Sequence, residues 1–195
     1  MQIKTKHWYV NIPFCTRRCS YCDFAIAVRR DVPVTQFIDS ILAELSTRSK
    51  HSDLSQVSTI YLGGGTPSKL GADGITSLLD RIRSHHGIGL TGDAELTMEA
   101  NPEDLSVEDA TAWRAAGVTR LSLGVQSFDP KVLTWMHRTH SPEAAGLAVA
   151  AARSAGLDDI ALDLIFALPD ELERAWGDAP IDVKRLGRVS VRRVV

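Results

Sequence analysis

The amino-acid sequence predicts an α/β protein in which a parallel sheet is covered by helices on its outer side. Strand-like and helix-like segments alternate along the 195 residues, in about five consecutive β-then-α units. Parallel strands connected through helices have right-handed crossovers, so the helices gather outside the sheet. The composition agrees, because 44% hydrophobic and 24% charged residues are typical of a globular domain. A chain of this length can bury roughly 70% of its unfolded surface in one core.

The predicted strands are short runs rich in β-branched and aliphatic residues. They span residues 8–12, 57–62, 95–98, 120–125 and 159–166. Most are followed by proline, glycine or polar residues, which end a strand. Four of these following stretches are residues 15–22, 63–67, 99–102 and 126–128, and Asp163 lies close to a fifth. Because the carboxyl ends of parallel strands meet at one edge of a sheet, we expect a single functional face there.

The predicted helices lie between these strands. They cover residues 32–48, 75–82, 106–117 and 141–156. The first two show apolar side chains at helical spacing. In the third, Ser106-Val-Glu-Asp109 resembles a capping box, and Gly117 suits the position just after a helix. In the fourth, Ser141 offers an N-cap followed by proline, and Gly156 ends the helix.

Charge and composition exclude several classes of protein. The 22 Lys and Arg residues nearly balance the 24 Asp and Glu residues, which argues against a general nucleic-acid binder. No apolar run approaches the roughly 20 residues of a transmembrane helix. The first residues contain no apolar signal core, and three cysteines are too few for a disulfide scaffold. We therefore expect a cytoplasmic protein without a transmembrane segment or a nucleic-acid partner.

The three cysteines lie within one eight-residue window, Cys15-Thr-Arg-Arg-Cys19-Ser-Tyr-Cys22. Thiolates are soft ligands suited to zinc or to iron–sulfur clusters. Zinc would require a fourth protein ligand, and no histidine lies at a compact spacing from the window. Three thiolates alone suit a 4Fe–4S cluster with one open iron. A zinc site and three buried, inert cysteines are the alternatives.

Cys15-x-x-x-Cys19-x-x-Cys22 after a first strand resembles the signature of radical S-adenosylmethionine (SAM) proteins. Further blocks resemble the oxygen-independent coproporphyrinogen III oxidase group, which includes a haem-chaperone branch. They are Tyr9-Val-Asn-Ile-Pro-Phe-Cys15, Leu62-Gly-Gly-Gly-Thr-Pro67, Glu99-Ala-Asn-Pro102, Leu121-Ser-Leu-Gly-Val-Gln-Ser-Phe128 and Asp163-Leu-Ile-Phe-Ala-Leu-Pro169. The resemblance covers about residues 8–176. It implies a partial (β/α) barrel of the radical SAM type, with a 4Fe–4S cluster on Cys15, Cys19 and Cys22.

The resemblance also implies which residues bind SAM. The implied contacts are Tyr9, Tyr21, Gly64, Gly65, Thr66, Glu99, Gln126, Arg138 and Asp163. Glycine allows a ligand to lie against the backbone, and arginine can pair with a carboxylate through two hydrogen bonds. Each polar residue taken alone could equally be a helix cap or a satisfied core group, and Tyr9 could be a core aromatic residue. We assign no catalytic side chain from the sequence.

Two functions are compatible with the resemblance. One is a haem chaperone that binds haem and transfers it to acceptor proteins. The other is a decarboxylase that oxidises the propionates of a porphyrinogen. In the decarboxylases of the group a fourth cysteine follows the third by two residues, whereas this chain has Phe24 there. A long segment also precedes their cluster loop, and only 14 residues precede Cys15. Both differences favour the chaperone branch. His137 and His140 beside Arg138 are weak candidates for a haem ligand.

The end of the sequence does not match the group. We expect residues 1–180 to form an incomplete radical SAM core, residues 181–195 to form a basic tail, and the C-terminal domain of the group to be absent. The tail could be a solvated extension, a weak anion-binding patch or a makeshift strand, and the solvated extension is favoured. Without a sixth unit, the fifth strand would expose an unpaired edge, and such edges favour self-association and poor solubility.

Overall fold

The computed structural model describes residues 3–166, residue 172 and residues 186–194. Within these ranges the chain forms a seven-stranded parallel sheet with order β1 and β2 beside β5, then β6, β7, β8 and β9. These strands are β1 (Ile3–Lys4), β2 (His7–Ile12), β5 (Ser52–Gly64), β6 (Ile88–Ala100), β7 (Arg120–Gln126), β8 (Asp159–Ile165) and β9 (Ser190–Val194). Two short strands, β3 (Phe14–Cys15) and β4 (Ala27–Val28), pair separately.

The helices connect successive strands and pack beside one another. They are α1 (Val34–Arg48), α2 (Gly71–Arg83), α3 (Val107–Ala115), α4 (Pro130–Trp135) and α5 (Pro142–Ser154). Helix α1 contacts α2, α2 contacts α3, and α3 contacts α5. This parallel sheet with flanking helices confirms the predicted α/β class. No helix in the described ranges is long and apolar enough to cross a membrane.

The hydrophobic core lies between the sheet and these helices. Its largest fully buried side chains include Trp113 of α3, Leu78 of α2, Met98 of β6 and Leu121 of β7. Burying an aliphatic or aromatic side chain of this size contributes about 1.5–3 kcal/mol relative to leaving it exposed. The core therefore fixes the strands rigidly enough to position the residues at their carboxyl ends.

The predicted start of the third helix at Ser106 is confirmed, but of the expected capping box only the contact of the Ser106 hydroxyl with a backbone N–H group forms. Ser106 Oγ accepts a hydrogen bond from Asp109 N at 3.0 Å and donates one to Asp109 Oδ2 at 2.7 Å. The helix ends as expected, because Gly117 has a φ of 97°, which favours glycine. The second and third predicted strands are too short, since β5 and β6 each contain 13 residues. Their first halves include polar and exposed side chains that carry no strand pattern, and neighbouring strands determine their conformation.

The expectation that β8 has an unpaired edge is wrong, because β9 pairs with that edge. The two strands pair in parallel from Ala161 beside Ser190 to Ile165 beside Val194. Arg153 of α5 holds the segment before β9, donating to the carbonyl oxygens of Leu186 and Arg188 at 2.6 Å each. Leu186 also packs against the core. Residues 190–194 therefore form a strand, which is the alternative expectation. The favoured expectation of a solvated extension is wrong for these residues.

Candidate functional site

A cavity of about 380 Å³ opens at the carboxyl ends of the parallel strands. Its walls come from the cysteine loop, the glycine stretch after β5, the ends of β6 and β7, and residues 137–139. Asp163 of β8 and Arg192 of β9 complete the lining. All of the predicted site residues except Tyr9 line this one cavity. The fold thus brings these distant segments together at one place, as the positions of the strand ends in the sequence predict.

The cysteine loop lies between β3 and β4, whose pairing closes its base. Arg18 Nη1 donates to the carbonyl oxygens of Cys22 and Phe24 at 3.2 and 3.3 Å, which fixes the distal half of the loop. All three cysteines are free and half-buried. Burial raises the pKa of the Cys15 thiol, whose Sγ lies 3.4 Å from Thr66 Oγ1.

The donor set fits an iron–sulfur cluster. Among the described residues no three Cys, His, Asp or Glu side chains are close enough to one another to form a metal site. In a 4Fe–4S cluster each thiolate binds a different iron, so the three sulfurs need not surround a single metal ion. Three free thiols on one short loop are the ligand type of a 4Fe–4S cluster. Arg138 Nη1 lies 3.8 Å from Cys19 Sγ and supplies positive charge beside the thiols.

The glycine stretch is required by the packing of the chain itself. Gly64 has a φ of 112°, and a Cβ there would collide with Asn11 Oδ1. At Gly65 a Cβ would lie 2.7 Å from the carbonyl carbon of Pro13 and 2.8 Å from the oxygen of Phe14. These two glycines let the end of β2 and the start of the cysteine loop lie directly against β5. Contact with a ligand is therefore not needed to explain them, although both line the cavity.

Tyr61 and Gly64 both donate hydrogen bonds to Glu99 at the end of β6. Tyr61 OH donates to Glu99 Oε1 at 2.8 Å, and the backbone N–H of Gly64 donates to Oε2 at 3.2 Å. Burial and the Glu99 charge raise the pKa of the Tyr61 hydroxyl, so it remains a donor at neutral pH. The sequence prediction did not include Tyr61, because only the pairing of β5 with β6 places it beside Glu99.

Tyr9 is the one predicted site residue that the structure leaves outside the cavity lining. It lies on the edge strand β2 and is 59% exposed. Its ring stacks on that of Tyr61 at a centroid distance of 5.7 Å. Tyr9 therefore packs against Tyr61, which is the hydrogen-bond partner of Glu99. Tyr21, by contrast, lines the cavity near Cys19 and Arg138, and burial raises the pKa of its hydroxyl.

Arg138 carries a buried positive charge at the centre of a polar network. Its side chain is 8% exposed, and Nη2 donates to Asn101 Oδ1 at 2.6 Å and to Gly124 O at 2.9 Å. Glu103 Oε2 lies 3.8 Å from Nη2. These contacts orient the guanidinium toward the cysteine loop, where it would offset the charge of thiolates or pair with a ligand carboxylate.

Glu103 links Arg138 to the buried His140. Thr139 Oγ1 donates to Glu103 Oε1 at 2.6 Å, and His140 Nδ1 lies 3.2 Å from Oε2. Burial by itself would raise the pKa of Glu103, but the contacts with His140 and Thr139 and the charge of Arg138 outweigh it. They lower that pKa from 4.5 to about 2. Glu103 is therefore ionised at neutral pH and balances the Arg138 charge.

Gln126 lines the cavity with a backbone conformation that is unusual for its residue type. Its φ of 65° is in the left-handed region, which residues other than glycine rarely adopt. Its Oε1 is buried and has no hydrogen-bond partner in the described part of the chain. A buried acceptor without a donor is costly, and strained backbone is often found at binding sites. Both features are consistent with a ligand donor at this position.

Asp163 is 6% exposed, and its charge is fully compensated within the chain. Ser122 Oγ lies 3.1 Å from both carboxylate oxygens. Arg192 donates to Asp163 through Nε at 2.7 Å and through Nη2 at 2.8 Å. Its Nη1 donates to Tyr61 OH at 2.8 Å, and Nη2 lies 3.4 Å from Glu99 Oε1. The sequence prediction did not include Arg192, because only the pairing of β9 with β8 brings it into the cavity.

Comparison with known proteins agrees with this architecture. The sequence model of the Radical SAM superfamily matches residues 9–179. The chain is 40% identical over 172 residues to the heme chaperone HemW of Escherichia coli (strain K12). It is 42% identical over 166 residues to the heme chaperone HemW of Mycobacterium tuberculosis (strain ATCC 25618 / H37Rv). These alignments cover 87% and 84% of this chain but 45% and 42% of the relatives, so the chain spans less than half of their length.

Solved structures share the fold. The chain is similar to coproporphyrinogen III oxidase (HemN) from Escherichia coli, a radical SAM enzyme, with a TM-score of 0.84 and 27% identity. That similarity covers 100% of this chain and 44% of the other. The [FeFe]-hydrogenase maturase HydG has a TM-score of 0.62 at 15% identity, which reflects the fold alone. From the matched sequence model, the fold and the cysteine loop, we conclude that the chain belongs to the Radical SAM superfamily.

Proposed function

We propose that this chain is the cluster- and SAM-binding core of a cytoplasmic haem chaperone, which binds haem and transfers it to acceptor proteins. The observation that carries the proposal is the identity of 40–42% to curated heme chaperones over more than four-fifths of this chain. Phe24 supports it further. This residue lines the cavity and is 65% exposed at the position where the decarboxylases of the group have a fourth cysteine.

The proposed cofactor site uses residues of the described cavity. Cys15, Cys19 and Cys22 would hold a 4Fe–4S cluster, which when bound supplies the electron that cleaves SAM. Arg138 would stabilise a negative charge beside Cys19, because its guanidinium lies 3.8 Å from that sulfur. Gln126 Oε1 would accept a hydrogen bond from SAM, which would satisfy a buried acceptor.

The same cavity suggests which histidine to test as a haem ligand. His137 lines the cavity, whereas His140 is fully enclosed. His140 Nε2 lies 3.0 Å from Val125 O, and its Nδ1 faces Glu103. Imidazole is a common ligand of haem iron, but it must be accessible to bind. We therefore propose His137 as the haem ligand within this chain and exclude His140 from that role.

The second candidate function is oxidative decarboxylation of coproporphyrinogen III. The observation in its favour is the fold match to coproporphyrinogen III oxidase, with a TM-score of 0.84. The two functions differ in what the protein does with a porphyrin. A chaperone retains haem without changing it, whereas a decarboxylase releases carbon dioxide from propionates of the substrate.

One experiment separates the two functions. The protein is reconstituted anaerobically with iron and sulfide and is then titrated with haem, with absorbance of the Soret band as the readout. In parallel it is incubated with SAM, a reductant and coproporphyrinogen III, and the products are separated chromatographically. We expect saturable haem binding, weakened by His137→Ala, and no decarboxylated product. Decarboxylation without stoichiometric haem binding would replace our proposal with the second function.

A further inference from the structure

We infer that Arg192 is an internal competitor for SAM: its guanidinium occupies the two carboxylates that SAM must contact, and it thereby sets the affinity for SAM. The inference rests on the proposed function, in which this cavity binds SAM, and on the family resemblance, which implies that Glu99 and Asp163 contact it. It goes further because it assigns a binding role to β9, a segment outside the family resemblance. Arg192 lies beyond residues 9–179, the part of the chain that matches the family model.

The register of the sheet places Arg192 in the cavity. In the pairing of β8 with β9, Arg192 lies directly beside Asp163. Neighbouring residues in register on parallel strands project their side chains to the same face of a sheet. Asp163 faces the cavity, so Arg192 faces it too, and both line the cavity. A shift of one residue would turn this arginine to the other face of the sheet.

The contacts of Arg192 nearly use up its donor groups. A guanidinium has five N–H groups. Two bind Asp163 in a bidentate pair, one binds the Tyr61 hydroxyl, and Nη2 also reaches Glu99 Oε1 at 3.4 Å. The pairing with Asp163 raises the pKa of Arg192, which is therefore always charged. Arg192 thus occupies the hydrogen-bond acceptors at the cavity wall. Few of its own N–H groups remain to bind a ligand.

SAM would meet both a steric and an electrostatic obstacle at this wall. Its ribose hydroxyls and its ammonium group are donors that require free acceptors, and its sulfonium adds a positive charge. With Arg192 in place, the acceptors at Glu99 and Asp163 are occupied and a like charge stands beside them. The arginine is displaceable, because its own side chain is 46% exposed and can turn toward solvent when a ligand takes its place. It therefore lowers the affinity for SAM without closing the site.

The test compares three variants with the wild-type chain after anaerobic reconstitution of each with iron and sulfide. Arg192→Gln removes the charge and keeps much of the side-chain length. Arg192→Lys keeps the charge but cannot form the bidentate pair. Arg188→Gln is the matched control, because Arg188 is an exposed residue just before the same strand. The dissociation constant of radiolabelled SAM is measured by equilibrium dialysis, together with iron content and far-UV circular dichroism.

We expect Arg192→Gln to lower the SAM dissociation constant about five- to tenfold, which corresponds to roughly 1 kcal/mol of competition removed. Arg192→Lys should give an intermediate value, and Arg188→Gln should match the wild type. An unchanged or weaker affinity in Arg192→Gln, with normal iron content, overturns the inference. If Arg192→Gln does not fold, Arg192→Lys decides in the same way, and a wild-type affinity in that variant overturns the inference.

The same measurements distinguish failure of the inference from failure of the proposed function. If the wild type binds SAM and Arg192→Gln binds it no better, only the role of Arg192 is wrong. If every variant assembles the cluster but none binds SAM, the SAM site itself is wrong, and the inference fails with it. If no variant retains iron, the cluster assignment of the proposed function is wrong. The strongest support would be a result in which the wild type binds no SAM and the Arg192→Gln variant binds it.

Discussion

At the scale of single residues, the buried charge of Arg138 depends on Glu103. The carboxylate lies 3.8 Å from the guanidinium and is ionised because its pKa is lowered to about 2. A group whose pKa is lower in the folded than in the unfolded state stabilises the fold above its unfolded pKa. This contribution is lost as the pH falls from the ordinary 4.5 toward the folded value of about 2.

We therefore predict that Glu103→Gln lowers the free energy of unfolding at pH 7 and flattens its dependence on pH between about 4.5 and 2. Urea denaturation of the cluster-free protein at several pH values measures both effects. Glu44→Gln is the control, since Glu44 forms an exposed pair with Arg48. Equal loss of stability in acid for Glu103→Gln and the wild type would show that Glu103 is not coupled to folding.

Gly64 has a role in folding that can be separated from ligand binding. We predict that Gly64→Ala destabilises the cluster-free protein by about 1–3 kcal/mol, because the new Cβ would collide with Asn11 and the φ is positive. Gly92→Ala is a suitable control, because a Cβ there would have no atom within 4 Å. Melting followed by circular dichroism gives the comparison. Loss of SAM binding in Gly64→Ala without loss of stability would instead support a role only in contacting the ligand.

At the scale of elements, the cysteine loop acts as one unit, closed at its base by the β3–β4 pair. We predict that replacing Cys15, Cys19 or Cys22 by alanine abolishes the brown chromophore of the reconstituted protein, since two thiolates do not retain a 4Fe–4S cluster. Ser20→Ala is the matched control from the same loop, where Ser20 Oγ donates to the Trp135 carbonyl oxygen. Metal analysis and visible absorbance report the result. Stoichiometric zinc without iron in the wild type would favour the zinc alternative.

The strand β9 is the element on which the sequence expectation and the structure differ most. It covers the edge of β8 that would otherwise expose backbone donors and acceptors. We predict that a chain ending after Gly187 self-associates at concentrations where the 195-residue chain does not. Sedimentation velocity on both chains measures this directly. A truncated chain that remains monomeric would show that β9 does not protect this edge.

At the scale of the whole molecule, the fold class and the position of the cavity follow from local sequence patterns. Strand ends followed by Cys15, Gly63, Glu99 and Gln126 predict one functional edge, because parallel strands share a direction. Local pattern cannot give contacts that depend on register between distant strands. Tyr61 beside Glu99 and Arg192 beside Asp163 are such contacts. Local pattern also does not predict the first halves of β5 and β6 as strands. Their strand propensity is weak, and pairing with neighbouring strands outweighs it.

We propose that three cysteines in this cavity hold a 4Fe–4S cluster with an iron left open to SAM. Electron paramagnetic resonance of the reconstituted, reduced protein tests it most directly, with spectra recorded before and after addition of saturating SAM. We predict the signal of a single reduced 4Fe–4S cluster, with g values that shift when SAM is added. A signal that saturating SAM leaves unchanged in both the wild type and Arg192→Gln, or the absence of any cluster signal, would contradict the account.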